Sequence, residues 1–217
     1  MLLSRLQALI GGIYDVSVAY DVYDFLVTDR THLPRAAHGG LADEELIVAE
    51  SPDGAEVALS LYLDPALLRR LDCADPLVEL NAGNVADWWT ALEGVSHFLY
   101  LAWNAGHDKP VSLLELEMQA EVDKYVASYW LLRWQYPGHV PAELHRVLFE
   151  RTRIDPRLER QRARLYGEAS CYAARFCRRL GERLTSRGHR EREVLAELRR
   201  FYRLGNARKR AHIERTS

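Results

Sequence analysis

Two segments of more than twenty residues, 84–105 and 112–136, carry apolar side chains at helical spacing, and only the short stretch 106–111 separates them. A break that short folds two helices back on each other as an antiparallel pair. Successive helical residues turn by about 100°. On the second segment Leu114, Met118, Val122, Tyr125, Tyr129 and Leu132 therefore form one apolar arc, and Leu113, Leu116, Ala120, Ala127, Leu131 and Trp134 form another. Glu117, Glu121, Lys124 and Ser128 make a narrow stripe between the arcs. Polar groups flanked by apolar surface on both sides are hard to leave wholly in water. On the first segment Val85, Trp88, Trp89, Leu92, Val95, Leu99 and Trp103 make the apolar face, with Glu93, His97 and Asn104 at its margin. Folding the pair near residue 108 sets His97 opposite residue 119 and Glu93 opposite residue 123, so the two polar stripes meet.

The rest of the chain is arranged around that pair. Helices are predicted at 141–150, 156–185 and 189–205, punctuated by Pro137-Gly138, Asp155-Pro156 and Gly188. Ser112 followed by Glu115 is a capping box for the second long helix. The N-terminal third has strand character at 20–28, 45–50 and 57–63, with Ser51-Pro52-Asp53-Gly54 as a hairpin turn. Residues 1–10 read as a short amphipathic helix rather than a signal peptide, and Asp64-Pro65 starts another helix that ends near residue 71. The expected class is α+β: a mostly helical bundle with a small N-terminal antiparallel sheet, a hairpin plus one strand. The expected organisation is a small α/β region over 1–72, a bundle over 73–205 packed on it as one cooperative unit, and a mobile basic tail over 206–217.

With 48% hydrophobic and 28% charged residues, the 217-residue chain is long and apolar enough for one substantial core. No stretch reads as a membrane span; the apolar run 94–106 is too short and contains His97. Cys73, Cys171 and Cys177 form no Cys-x-x-Cys pair, which argues for a reducing compartment and a cytoplasmic protein.

Charge is laid out unevenly. Residues 1–145 hold 8 Lys and Arg against 22 Asp and Glu, while residues 146–217 hold 21 against 9, for a formal total of −2. Arg175, Arg178, Arg179, Arg199, Arg200 and Arg203 form a candidate basic face on the last two predicted helices. Such a face fits an acidic protein partner, docking on the acidic half of the same chain, or nucleic-acid phosphates. No recognition motif for a nucleic acid accompanies it.

The candidate site is the cluster Glu93, His97, Glu117, Glu121 and Lys124. Glutamate and histidine from facing helices are the ligand types of metal sites inside bundles, and equally the groups of acid–base catalysis. Those metal sites use paired Glu-x-x-His motifs, whereas here one Glu-x-x-x-His stands alone, with Lys124 as a competing cation. A charge-compensated structural network is the plainer expectation. In the loop 31–40, His32 and His38 lack a ligand spacing, and Gly39-Gly40 lacks a phosphate-loop context. Taken together, the residues point first to a non-enzymatic interaction or adaptor protein with an acidic front and an Arg-rich back. The alternative is a small helical-bundle enzyme using the polar cluster, with no cofactor expected; a divalent metal at Glu93, His97, Glu117 and Glu121 is its less favoured form. A nucleic-acid-associated protein is the second alternative.

Overall fold

The computed structural model describes residues 1–33, 42–50, 57–138, 141–150, 159–185 and 191–215. Among them the chain forms α1 (Leu2–Tyr14), β1 (Leu26–Val27), β2 (Glu44–Glu50), β3 (Val57–Leu63), α2 (Pro65–Cys73), α3 (Val85–Ala105), α4 (Leu113–Gln135), α5 (Leu144–Phe149), α6 (Arg160–Thr185), α7 (Glu191–Tyr202) and α8 (Asn206–Arg215). The class is α+β and mostly helical. The predicted hairpin turn at 51–54, the Asp155-Pro156 break, Gly188, His38 and Gly39-Gly40 lie outside the described residues. No helix among the described residues is long and apolar enough to cross a membrane.

Helices α3 and α4 form the expected antiparallel pair. The Ser112 hydroxyl accepts the Glu115 backbone N–H and starts α4. Helix α4 packs against α3, α5, α6 and α1, so it is buried along almost its whole length. A helix apolar on more than one arc has to be enclosed in this way. One continuous core runs from Leu3 and Tyr14 of α1 through Trp88, Phe98 and Tyr100 of α3 to Phe176, Phe201 and Tyr202 at the C-terminal end. Phe176 and Phe201 stack at 4.0 Å, and Tyr14 and Tyr202 at 4.3 Å.

The sheet is mixed rather than purely antiparallel. β2 and β3 pair as the predicted hairpin, from Glu44 opposite Leu63 to Glu50 opposite Val57. β1 lies on the other edge of β3 and runs parallel to it. A strand on that edge is not joined to β3 by a tight turn, so no local signal sets its direction. It is also shorter than predicted. Asp21 and Asp24 cap one another's backbone and hold Val22–Phe25 in a 3-10 turn, overriding the strand propensity of those residues.

Close approach of the sheet to α3 depends on Gly94. A Cβ there would come within 2.8 Å of Leu61 Cδ1 and 2.9 Å of Glu44 Cγ. The missing side chain lets β2 bring Glu44 down onto α3.

The expected mobile tail is a docked helix over its described part. Within α8, Lys209 and Ile213 are fully buried. The Lys209 ammonium lies 4.5 Å from the Tyr100 ring and 4.8 Å from the Phe201 ring, and it donates to Gln119 Oε1. Glu115 accepts the backbone N–H of Asn206 at 2.9 Å, so a carboxylate meets the positive end of α8. The apolar stem of a lysine and the rings around its charge replace the apolar content that the segment lacks.

Burial pushes the Lys209 ammonium down to about 7, against the pull of Glu115 and Asp123. In the unfolded chain it keeps its proton to about 10.5. Between those values the unfolded state binds the extra proton, so the penalty of burying Lys209 is full below about 7 and fades as pH rises. Lys209→Met keeps the stem and removes the charge. The difference in melting temperature, variant minus wild type, falls between about pH 6.5 and about pH 9.5 in paired calorimetric scans. A difference independent of pH would contradict a buried charge at Lys209.

Candidate functional site

All five predicted cluster residues meet between α3 and α4. Glu93 and His97 stand one turn apart on α3, while Glu117, Glu121 and Lys124 rise from α4. The Lys124 ammonium bridges Glu93 Oε2 at 2.9 Å and Glu121 Oε1 at 2.7 Å. His97 Nε2 faces Glu117 Oε2 at 3.6 Å. A sixth member, Glu44, arrives from β2 and faces His97 Nδ1, also at 3.6 Å.

Sequence reasoning missed Glu44 because the strand was read from residue 45. Strand side chains alternate, so Glu44 shares a face with Leu46, which packs on the core. An acidic residue on the inward face of a strand was the available signal.

Four carboxylates thus surround two basic groups in a site whose side chains keep between 6% and 28% exposure. Burial disfavours the His97 imidazolium, but Glu117 and Glu44 outweigh it and hold the ring's pKa well above the ordinary value. Burial of Lys124 is likewise outweighed by Glu93 and Glu121, which keep the ammonium charged. For Glu93, burial is overcome by Lys124 and His97, and the carboxyl falls below its usual range. Burial raises Glu44 and Glu121. Tyr166 of α6 borders the cluster: burial, with the fields of Glu117, Glu93 and Glu44, pushes its phenol up to about 12.

The lysine half of the cluster is well bonded and the histidine half is not. Charge-assisted hydrogen bonds run at about 2.7–2.9 Å, the distances at Lys124. His97 Nε2 and Glu44 Oε1 are buried without a hydrogen-bond partner among the described residues. Glu93, His97 and Glu117 each offer one ligand atom, and these atoms lie within 4.8 Å of one another. Glu121 is taken by Lys124 and stands outside that set. Comparison with protein-family models, with curated proteins and with solved structures finds no match. The chemistry of the site therefore carries any functional reading by itself.

The six candidate arginines do not form one open face. Arg203 donates to Tyr14 O at 3.0 Å and Asp15 O at 2.8 Å, and Arg199 donates to Ile13 O at 3.3 Å. Both guanidiniums sit at the C-terminus of α1, where its carbonyls and dipole favour a cation. Arg179 pairs with Glu197 at 3.0 Å. Arg175, Arg178 and Arg200 are exposed. His32 is exposed on a 3-10 turn, away from any ligand cluster among the described residues.

Two mutations separate these roles. Lys124→Met strands Glu93 and Glu121, which keep 28% and 21% exposure. The loss near neutral pH is about 2–3 kcal/mol, at or just below the low end for a broken buried pair, and it shrinks toward about pH 5 as those carboxylates take up protons. Arg203→Ala uncaps α1 and costs about 1 kcal/mol. Arg178→Ala stays within about 0.5 kcal/mol of wild type. Urea midpoints check all three.

Proposed function

We propose that the chain is a small helical-bundle enzyme of acid–base type. Its working site is the cluster of Glu44, Glu93, His97, Glu117, Glu121 and Lys124. The observation that carries this reading is the state of His97. Its side chain keeps 6% exposure, both ring nitrogens face carboxylates, and neither distance closes to a hydrogen bond. Buried networks kept for stability close their hydrogen bonds, because an unmade one costs about 1–3 kcal/mol. Sites that await a ligand are where such rules are broken.

Each neighbour has a role in that reading. His97 can relay a proton between Glu44 and Glu117, or give Nε2 to a ligand. Lys124 fixes Glu93 and Glu121, whose partial exposure marks the solvent side of the cluster. Tyr166, with its phenol near 12, stays a neutral donor at neutral pH. A cytoplasmic location belongs to the proposal and is supported by three free cysteines, with the Cys177 thiol held protonated by burial.

A second reading, an interaction protein, is favoured by a different feature. Val78, Trp134 and Tyr136 line one shallow surface, with Val78 73% and Trp134 72% exposed. The arginine face supports this reading less, since Arg179, Arg199 and Arg203 are used within the fold.

Glu117→Gln separates a working site from a structural network. In chelator-treated protein near pH 8, Glu44 still faces the His97 ring, so a working site with four carboxylates around two cations gains stability when the Glu117 charge is removed, and the melting temperature rises by about 2–5 °C. A structural network loses the partner of His97, and the temperature falls by as much. A fall overturns the enzyme reading.

A further inference from the structure

We propose that Glu93, His97 and Glu117 bind a single first-row divalent transition metal, with Glu44 as the carboxylate that orients His97. This rests on the reading of the cluster as the working site, and it chooses the ligand role for His97 over the proton relay.

Geometry is the first support. The three donor atoms lie within 4.8 Å of one another. Metal bonds of about 2.1 Å place tetrahedral ligands about 3.4 Å apart. The 3.6 Å between His97 Nε2 and Glu117 Oε2 is too long for a hydrogen bond and close to the edge of such a polyhedron. Small side-chain adjustments complete the set.

The buried Nε2 of His97, without a hydrogen-bond partner among the described residues, is the second support. An imidazole ligates through one nitrogen while the other donates to a carboxylate or carbonyl. Glu44 Oε1 stands 3.6 Å from Nδ1 and has no other partner among the described residues. Metal binding displaces the Nε2 proton that the carboxylates favour in the empty site, and with the remaining proton on Nδ1 toward Glu44 the Nε2 lone pair is left on the Glu117 side. Glu44 thus acts through His97 as a positioning residue.

Stoichiometry and metal class follow from the donors. Lys124 occupies one oxygen of Glu93 and leaves the other for the metal. Glu121 is committed to Lys124, so the cluster has donors for one ion rather than two. One imidazole and two carboxylates suit Mn(II), Fe(II), Co(II) or Zn(II), and the absence of a thiolate from the set argues against Cu(I). Three protein ligands leave room for water or a substrate oxygen on the ion.

The test uses the full chain, tag-free and dialysed against chelator, titrated with Co(II) by calorimetry and visible absorption. One equivalent is expected to bind with micromolar affinity or better, with d–d bands that Zn(II) abolishes. His97→Gln and Glu117→Gln weaken binding by about 100-fold or more, Glu44→Gln by about 10–100-fold, and Glu121→Gln by less than about threefold. Circular dichroism confirms the fold of each variant. If His97→Gln does not fold, the Glu44→Gln and Glu121→Gln pair still decides, since a non-specific acidic site would weaken equally in both. No binding by wild type, or unchanged binding after Glu44→Gln, overturns the metal assignment. Wild type that binds no metal while Glu117→Gln raises the melting temperature leaves a metal-free proton-relay site. No binding together with a lowered temperature removes both readings.

Discussion

Helix α4 is enclosed by its neighbours along most of its length, and the polar groups it buries have to be met by one another or by other elements. That requirement organises most of the structure. Ser128 accepts from the indole N–H groups of both Trp88 and Trp89, at 2.9 and 3.0 Å, tying α3 to α4. Glu115, Gln119 and Asp123 recur at a spacing of four on another face, and they draw in α1, α3 and α8. Tyr14, Ser96 and Gln119 all donate to Asp123, and Tyr100 and the Asn206 backbone donate to Glu115. Without that stripe, α8 would have little reason to dock.

The two polar networks on α4 therefore serve as internal controls for one another. Around Asp123 and Glu115, every carboxylate oxygen has a donor, and the atoms left without a partner among the described residues are neutral ones, the Tyr202 hydroxyl and Asn206 Oδ1. Around His97, the same helix at a similar depth leaves a nitrogen and a carboxylate oxygen unmet among the described residues. Both networks come from the same packing, and what sets the His97 side apart is that a carboxylate oxygen and an imidazole nitrogen are left open rather than neutral groups. The difference lies in reach. The Asp123 network is closed by donors that reach it from α1, α3 and α4 itself, whereas His97 stands between two carboxylates that stop short of it on either side.

What the sequence disclosed follows periodicity. The α3–α4 pair, the Ser112 cap and the convergence of Glu93, His97, Glu117, Glu121 and Lys124 are all consequences of helical spacing plus one short loop. Features that depend on distant elements were hidden. Glu44 reaches the site only because Gly94 admits β2. α8 has too little apolar content to be read as packed, and it docks by burying a lysine among three rings. The stripe of Glu115, Gln119 and Asp123 was masked by the apolar residues on either side of it. β1 lost most of its length to a local cap at Asp21 and Asp24.

The uneven charge of the chain takes a different meaning once the fold is known. An acidic front and a basic back resemble two surfaces for two partners. In the folded chain, Arg199 and Arg203 of the back close the end of α1, and Lys209 enters between Glu115 and Asp123. Part of the asymmetry is thus met within the chain, as these three cations reach a helix end and buried carboxylates of the front half. The basic half does not reach the Glu44–His97–Glu117 side of α4 with an ion pair among the described residues. There the surplus of carboxylate stays unneutralised, which makes that side the place where a cation from outside the chain has the most to gain.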